Sequence, residues 1–257
     1  MISKNQIKYV HQLELKKFRK QEGLFIAEGH KVVGDLIKAG YAPKQLFATA
    51  EWTAANPAVD AIEVIPDELS KLSLQQHPQQ VLALFPIPTN NISLLAPSSG
   101  AFAMHQRLSL LLDNVQDPGN LGTIIRIADW FGIDTIYCSE GTVDAWNPKV
   151  VQSTMGSIAR VHIIYIDPMK LFDSLPNDFP VYGTFLDGEN IYTQELSQHG
   201  LIVMGNEGNG ISDAVRARIS RRLLIPDFHR GDTADSLNVA IATAITCSEF
   251  RRRAITL

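Results

Sequence analysis

Residues 108–126 read LSLLLDNVQDPGNLGTIIR, which joins an apolar run to a polar loop and then to a helical pattern. The run LSLLLD (108–113) has the length and composition of a strand that is buried on both faces of a parallel sheet. The segment 113–122 contains two Asp, two Asn, one Pro and two Gly, whereas a tight turn needs only about two or three residues of this kind. We therefore expect this loop to approach a ligand as well as to turn the chain.

The alternation of apolar runs with helical stretches continues to the end of the chain. Five further strands are predicted at TIYCS (135–139), HIIYI (162–166), VYGTF (181–185), LIVMG (201–205) and RLLIP (222–226), and a long helix over 236–255. Continuous apolar strands that alternate with helices indicate an α/β fold, in which a mostly parallel sheet is covered by helices on both faces. Ligands of such sheets bind beyond the carboxyl ends of the strands.

Three loops that follow predicted strands carry most of the unusual residues. The first is 113–122, the second is GNEGNG (205–210), and the third is DFHRGDTAD (227–235), which leads into Ser236. The second loop lacks the Lys and Ser/Thr of a P-loop and the GxGxxG spacing of a dinucleotide site. All three are expected to meet at one edge of the sheet.

The first loop leads into a helix for which Asn120 is the predicted N-cap. The predicted buried face of this helix follows the spacing i, i+3, i+4, i+7 and consists of Leu121, Ile124, Ile125 and Ala128. Arg126 lies off that face, one turn beyond Gly122, whose missing side chain leaves room for a ligand. The plainer alternative is a capped helix with a surface Arg. For the last helix, Ser236 is the predicted N-cap.

The first third of the chain predicts a small α/β domain. A basic helix over 4–20 precedes a second helix at 30–40, and strands are predicted at 24–29, 45–50, 62–65 and 81–87. The predicted organisation is a first domain over 1–90, a linker over 91–107 within a segment 88–107 that is rich in Pro, Ser, Asn and Gly, and a second domain over 108–257.

Composition excludes several classes of protein. No run of about 18 apolar residues exists, so no membrane span or membrane partner is expected, and the N-terminus lacks the apolar core of a signal peptide. Cys138 and Cys247 are the only cysteines of the 257 residues and show no CxxC spacing. We therefore expect no metal site and a cytoplasmic protein. Residues 1–44 carry nine Lys or Arg against four Asp or Glu in a chain of net charge −4, a pattern that fits either a phosphate-binding face or a solvated helix surface.

The three loops together resemble the motifs of a known family. The pattern N-x-x-D-P-x-N-x-G-x-x-x-R resembles motif 1 of the SpoU-type (TrmH-like) RNA ribose 2′-O-methyltransferases of the SPOUT superfamily, and it falls here on Asn114, Asp117, Pro118, Asn120, Gly122 and Arg126. MGNEGNGIS (204–212) resembles motif 2, and the ends of 225–242, IP and SLNVAIATAI, resemble motif 3. The segment LELKKFRKQEGLFIAEGHKVV (13–33) resembles the L30e-like substrate-binding domain of such enzymes.

The resemblance implies S-adenosylmethionine as the methyl donor, a deep C-terminal trefoil knot and a homodimer. It implies methylation of a ribose 2′-hydroxyl in RNA, with ribosomal RNA favoured over transfer RNA. The implied catalytic and RNA-facing residues are Asn120, Arg126, Glu207, Ser236 and Asn238. The implied donor-binding residues are Met204, Gly205, Asn206, Gly210, Ile225, Pro226 and Leu237. Phosphate contacts from the first domain are expected at Lys16, Lys17, Arg19 and Lys20.

One departure and several alternatives stay open. The loop 227–235 is longer than is usual in the family, so its donor contacts are not fixed by the resemblance. Arg126 is either the base or, as the permanent charge of a guanidinium favours, a phosphate anchor that stabilises the developing alkoxide. Glu207 is a candidate to orient it or to face it from the partner subunit. The alternative functions are a non-catalytic RNA-binding or ribosome-assembly protein that retains the fold, and a nucleotide-dependent oxidoreductase, which the missing GxGxxG disfavours.

Overall fold

The computed structural model describes residues 2–88, 107–229 and 234–253. Nearly all of the predicted linker 91–107 and residues 230–233 of the third loop lie outside the described residues. In chain order the helices are α1 (Lys4–Gln12), α2 (Lys16–Glu22), α3 (His30–Lys38), α4 (Ala50–Ala55), α5 (Pro66–Leu72), α6 (Pro118–Trp130), α7 (Pro148–Ser153), α8 (Pro168–Ser174), α9 (Asp213–Arg216) and α10 (Val239–Arg252). The strands are β1 (Leu24–Glu28), β2 (Gln45–Ala48), β3 (Ile62–Glu63), β4 (Val81–Pro86), β5 (Leu108–Leu112), β6 (Thr135–Cys138), β7 (His162–Tyr165), β8 (Val181–Asn190), β9 (Gly200–Met204) and β10 (Arg221–Leu224).

The chain divides into two compact units, each built from two stretches of sequence. The first comprises Met1–Thr89 and Asp144–Arg160, and the second comprises Asn90–Val143 and Val161–Leu257. The sequence pattern places 144–160 in the second domain, whereas its contacts in the structure are with the first unit. The predicted boundary at 91–107 remains a prediction.

The first unit contains a four-stranded sheet in the order β1-β4-β2-β3, in which β4 is antiparallel to both of its neighbours. The predicted single helix over 4–20 is wrong, because α1 and α2 are separated by a turn in which Leu15 has extended backbone. The side chain of Arg19 stabilises this turn. Its Nη1 donates to the carbonyl oxygens of Leu13 at 2.9 Å and Glu14 at 2.6 Å, two acceptors that a continuous helix would have satisfied itself.

The second unit contains the predicted parallel sheet. Its six strands run in the order β10-β8-β9-β5-β6-β7, and each neighbouring pair is parallel. The central strand β5 is fully buried, as its apolar run predicts. Helix α10 packs against α6, whose predicted inner face of Leu121, Ile124, Ile125 and Ala128 is completely inaccessible to solvent. The fold class is therefore confirmed, while the trefoil knot stays a prediction.

Two features of other protein classes are absent from the described residues. In this part of the chain no helix is long and apolar enough to cross a membrane. The same residues hold no group of three His, Cys, Asp or Glu side chains arranged to bind a metal ion.

Candidate active site

Helix α6 begins one turn earlier than the sequence predicts. Asp117 is its N-cap, since its Oδ1 accepts from the backbone N–H of Asn120 at 2.8 Å. Pro118 occupies the first helical position, where its fixed φ is favourable and no N–H is needed. The prediction of Asn120 as the N-cap is therefore wrong, and its side chain is available for contacts with other loops.

The side chain of Asn120 joins the first loop to the second. Its Nδ2 donates to Oε1 of Glu207 at 3.0 Å. The same carboxylate accepts from the backbone N–H groups of Gln116 and Asp117, each at 3.1 Å. Glu207 thus holds the start of motif 1 through three hydrogen bonds.

The side chain of Asn238 joins the third motif to the other two. Its Nδ2 donates to Oδ1 of Asn120 at 2.9 Å, while its Oδ1 accepts from the N–H groups of Ala240 and Ile241. Asn238 is therefore the N-cap of α10, and the prediction of Ser236 in that role is wrong. Because α10 begins at Val239, Ser236 lies before the cap and is exposed.

Glu207, Asn120 and Asn238 form a chain of hydrogen bonds that we call the polar relay. Both polar atoms of each amide have a partner, so the network fixes the orientation of each amide group. Burial raises the pKa of Glu207, but hydrogen bonds from Asn120 and from backbone N–H groups outweigh it and lower the pKa below its ordinary value. The carboxylate is consequently ionised at neutral pH and acts as an acceptor.

The second loop is shaped by its own backbone and by Asn206. A methyl group added to Gly205 would lie 2.3 Å from the carbonyl carbon of Gly210. Only glycine at position 205 therefore allows the two ends of the loop to lie this close together. Oδ1 of Asn206 accepts from the N–H groups of Gly208 and Asn209 at 2.9 Å, and its Nδ2 donates to the carbonyl of Asn114 at 2.7 Å. The side chain of Asn206 therefore organises the loop.

One site-building residue was missed by sequence reasoning. Asp113 is 2% exposed, and its Oδ2 accepts from both the N–H (2.8 Å) and the hydroxyl (2.7 Å) of Ser212, which follows the second loop. Asp113 thus ties the end of β5 to the exit of motif 2. The available signal was a carboxylate that directly ends the apolar run 108–112, where an unpartnered charge would be unfavourable.

The second and third motif regions line one cavity of about 580 Å³. The sequence-predicted residues that line it are Met204, Gly205, Asn206, Glu207, Gly210, Ile225, Ser236 and Leu237. Pro226, although described, is not among the lining residues, so its predicted donor contact is not supported. A further wall was not predicted and consists of Thr184, Phe185, Leu186, Asp187 and Arg216.

Comparison with known proteins gives this geometry its context. Residues 107–248 match the model of the SpoU rRNA Methylase family, and residues 4–83 match that of the MRM3-like substrate binding domain. The chain belongs to the SpoU rRNA methylase family. The predicted resemblance is thereby confirmed for both parts of the sequence.

Relatives of this SpoU-family chain match it over nearly its whole length. It is 31% identical to the 23S rRNA (guanosine(2553)-2′-O)-methyltransferase RlmP of Bacillus subtilis, with 97% of each chain covered. Its structure is similar to that of a TrmH-family protein from Porphyromonas gingivalis, with 40% identity, a TM-score of 0.84, and 98% of this chain and 99% of that chain covered. An AdoMet-bound rRNA methyltransferase from Sinorhizobium meliloti matches with 30% identity and a TM-score of 0.84, covering 100% of this chain and 97% of that one.

Family membership makes the chain an S-adenosylmethionine-dependent RNA methyltransferase that acts on a ribose 2′-hydroxyl. The cavity fits this donor in size, because sites for small ligands enclose about 300–1,000 Å³. It fits in chemistry too. The side chains of Ile225 and Leu237 offer apolar contact, the loop backbone at Gly205 offers polar groups at close range, and the exposed carboxylate of Asp235 favours a ligand that carries a sulfonium and an ammonium group.

Arg126 is exposed on α6 and makes no hydrogen bond or ion pair to any described residue. Glu207, the predicted partner for orienting it, has its carboxylate occupied by Asn120 and by backbone N–H groups. Within one chain, therefore, Glu207 does not orient Arg126. Gly122 is buried in α6, so the predicted ligand approach at this glycine is wrong.

The predicted RNA contacts of the first unit divide into two kinds. Lys16, Lys17 and Lys20 are exposed. Arg19 is 2% exposed and forms a buried ion pair with Asp144, with Nη2 at 2.5 Å and Nε at 3.0 Å from Oδ2. The prediction that Arg19 contacts phosphate is therefore wrong, because its guanidinium is enclosed by the unit's own acceptors.

Proposed function

We propose that this protein methylates a ribose 2′-hydroxyl in large-subunit ribosomal RNA and that the polar relay builds the site for this reaction. The observation that carries the proposal is that Glu207, Asn120 and Asn238, one from each motif, are joined by hydrogen bonds of 2.9–3.0 Å beside the donor-sized cavity. A relay of this kind fixes the relative positions of three loops before substrate arrives, which lowers the entropic part of the barrier.

The names of relatives support an RNA target in the large ribosomal subunit. RlmP is named for a guanosine of 23S rRNA, and a Streptomyces viridochromogenes relative, 26% identical over 91% of this chain, is named for a uridine of 23S rRNA. Since the two named bases differ, we infer that the shared chemistry of the site is directed at the ribose and the backbone. The target base of this protein is accordingly set by contacts outside the relay.

Arg126 is proposed to anchor the RNA. An arginine guanidinium keeps its positive charge in proteins and acts as a hydrogen-bond donor, not as a base. It is suited to bind the phosphate beside the target ribose in a bidentate manner and to stabilise the developing alkoxide. S-adenosylmethionine, when bound, supplies a methyl group already activated by the sulfonium.

The remaining predicted residues have supporting roles in this proposal. Ser236 and Leu237 lie in the segment that leads from the cavity to the cap of α10, where they line the donor. The proton of the 2′-hydroxyl passes to a phosphate oxygen or to water. Glu207 does not take it, because its depressed pKa makes it a weak base.

Lys16, Lys17 and Lys20 are proposed to bind RNA phosphates without reading sequence. All three are exposed on or beside the first turns of α2. Neutralising one of them removes one phosphate contact and lowers the salt dependence of RNA binding by about one counterion.

A homodimer is proposed as the working state. Leu237 and Ile241, just before and within the first turn of α10, are 50% and 52% exposed beside the relay. Burial of such side chains in a self-complementary contact would stabilise a dimer. Sedimentation equilibrium checks the dimer, with a monomer at micromolar concentration as the contradicting outcome. We also propose a cytoplasmic location, which the two free, buried cysteines fit.

The proposed chemistry is tested by transfer of labelled methyl from S-adenosylmethionine to 23S rRNA transcripts. Arg126→Ala is expected to abolish transfer, and Arg126→Lys to retain a small part of it, because Lys keeps the charge but not the bidentate geometry. Circular dichroism establishes folding. Normal transfer by folded Arg126→Ala would remove this residue from the mechanism.

A further inference from the structure

Strand β8 is interrupted beside the cavity. Its register with β10 runs from Gly183 opposite Arg222 directly to Glu189 opposite Leu223, and its pairing with β9 ends at Gly183. Residues 184–188 therefore have no partner in the register of either neighbouring strand. This segment, which we call the β8 bulge, supplies four residues of the cavity wall.

The bulge returns to the sheet through a contact that only glycine permits. A methyl group at Gly188 would lie 2.5 Å from the backbone carbonyl carbon of Leu223. The two ends of the bulge are therefore fixed, at Gly183 and Gly188, while the residues between them depend on side-chain contacts for their position.

Those contacts converge on Asp187. Its Oδ2 lies 3.0 Å from Nη2 of Arg216, and its Oδ1 accepts from Nη2 of Arg222. The same two guanidinium groups lie over the ring of Phe185, with their carbons at 4.8 Å and 4.5 Å from its centroid. We call Asp187, Arg216, Arg222 and Phe185 the bulge clamp.

The clamp joins three elements around the cavity. Arg216 is the last residue of α9, just after motif 2, and Arg222 is in β10, just before motif 3. The Nε atom of Arg222 is buried and has no hydrogen-bond partner among the described residues. Without Asp187, this guanidinium would keep its unpaired nitrogen and lose its carboxylate partner, so the arrangement around Phe185 would become unfavourable.

We propose that Asp187 is a positioning residue that holds the β8 bulge as a wall of the donor cavity and thereby sets the affinity for S-adenosylmethionine. The inference rests on the proposed use of this cavity for the donor. Asp187 acts through Phe185 and the two Arg side chains on the shape of the wall, so it affects donor binding more than the chemical step. Because the ion pairs are partly exposed, salt screens them, and donor affinity falls as salt rises.

The chain offers a matched control. Arg218 and Asp173 form another exposed ion pair, at 2.9 Å, and Arg218 also lies over an aromatic ring, that of Phe172, at 5.3 Å. Neither Asp173 nor Arg218 lines the cavity. Asp173→Asn therefore removes an interaction of the same kind without touching the proposed wall.

The test is calorimetric binding of S-adenosylmethionine and S-adenosylhomocysteine to the full chain. Asp187→Asn and Arg216→Gln are expected to weaken binding of both ligands about fivefold, as loss of exposed ion pairs allows, and to reduce the salt dependence of binding. Asp187→Glu should restore part of the affinity, and Asp173→Asn should match the wild type. In methyl transfer, the KM for the donor should rise while kcat at saturating donor changes less than about twofold.

Two failures are distinguishable. If the wild type binds the donor and folded Asp187→Asn and Arg216→Gln bind it equally well, the clamp has no positioning role and the proposed function stands. If the wild type binds neither ligand, the use of this cavity for the donor is wrong and the clamp proposal falls with it. Thermal melting identifies any variant that fails to fold. If Asp187→Asn does not fold, the donor affinity of Arg216→Gln decides whether the clamp has a positioning role.

Discussion

Nδ2 of Asn120 lies 3.0 Å from Oε1 of Glu207, although the two residues are 87 positions apart in the sequence. Oδ1 of the same amide accepts from Asn238, a further 31 positions along the chain. The side-chain amide of Asn120 therefore joins two loops and the start of a helix. In the sequence these appear only as separate clusters of polar residues.

Replacement of Glu207 by Gln should destabilise the second unit and the site together. Gln keeps the size and one acceptor oxygen but loses the charge that strengthens three hydrogen bonds. Because the side chain is exposed to solvent, the free energy of unfolding should fall by about 0.5–1.5 kcal/mol. Methyl transfer should fall more steeply, because motif 1 loses its fixed position. Urea unfolding and labelled transfer measure the two effects, with Glu140→Gln, an exposed carboxylate of the same unit, as the control. A Glu207→Gln protein of normal stability and activity would show that the relay is incidental.

The stabilising effect of Glu207 should depend on pH. Its pKa is lowered in the folded state from an ordinary value of 4.5, so the folded protein releases this proton more readily than the unfolded chain does. The contribution is fully present above that ordinary value and is lost as the pH falls through the lower folded value. The difference in unfolding free energy between the wild type and Glu207→Gln should therefore be constant from pH 7 to about 5.5 and shrink below pH 4.5. If this difference in unfolding free energy grew on acidification, the pKa of Glu207 would be raised by folding and not lowered.

Asn238 has two roles that different substitutions separate. Asn238→Ala removes the cap of α10 and the bond to Asn120, and it should lower stability by about 1–2 kcal/mol. Asn238→Asp keeps an oxygen for the cap but replaces the donor to Asn120 by a second acceptor, so it should retain the cap while methyl transfer is lost. A double-mutant cycle with Asn120→Ala should give a coupling energy above about 0.5 kcal/mol. Strictly additive effects would mean that the bond between the two amides has no energetic role.

Arg19 should contribute to the stability of the first unit, whereas Lys20 should contribute to RNA binding. Arg19→Met leaves Asp144 without its partner and should destabilise the first unit by about 3–5 kcal/mol. Lys20→Met, at an exposed position of the same helix, should change stability by less than about 0.5 kcal/mol and should weaken RNA binding with a smaller salt slope. Urea unfolding followed by the fluorescence of Trp52 and Trp146, both in this unit, measures the first effect. Equal stability of the two variants would contradict the assignment of Arg19 as a structural residue.

The sequence was sufficient to predict the parts of the fold that depend on continuous apolar runs. Strands such as 108–113 and 201–205 are buried on both faces, so their pattern is unambiguous. The buried face of α6 was also predictable, since apolar residues at i, i+3, i+4 and i+7 indicate one buried face of a helix. The helix starts were less predictable, because Asp117, Asn120, Ser236 and Asn238 are all good caps. For α6 the Pro118 at the first helical position was a local signal for Asp117.

The missed features depend on contacts between distant residues. Arg19 lies in a segment rich in Lys, and its burial becomes visible only when Asp144 is placed beside it, 125 positions away. The β8 bulge begins as an ordinary strand pattern, and the clamp around Asp187 joins residues from three elements. The return of 144–160 to the first unit likewise leaves no local signal.

The most direct measurement is to map ribose methylation in 23S rRNA after incubation with the purified protein and S-adenosylmethionine. We predict one ribose that becomes resistant to alkaline cleavage at its 3′ phosphate, with no such position in reactions of Arg126→Ala or Asn120→Ala. Methyl label on a base, or no label in ribosomal RNA when the wild type binds the donor, would contradict the proposed function.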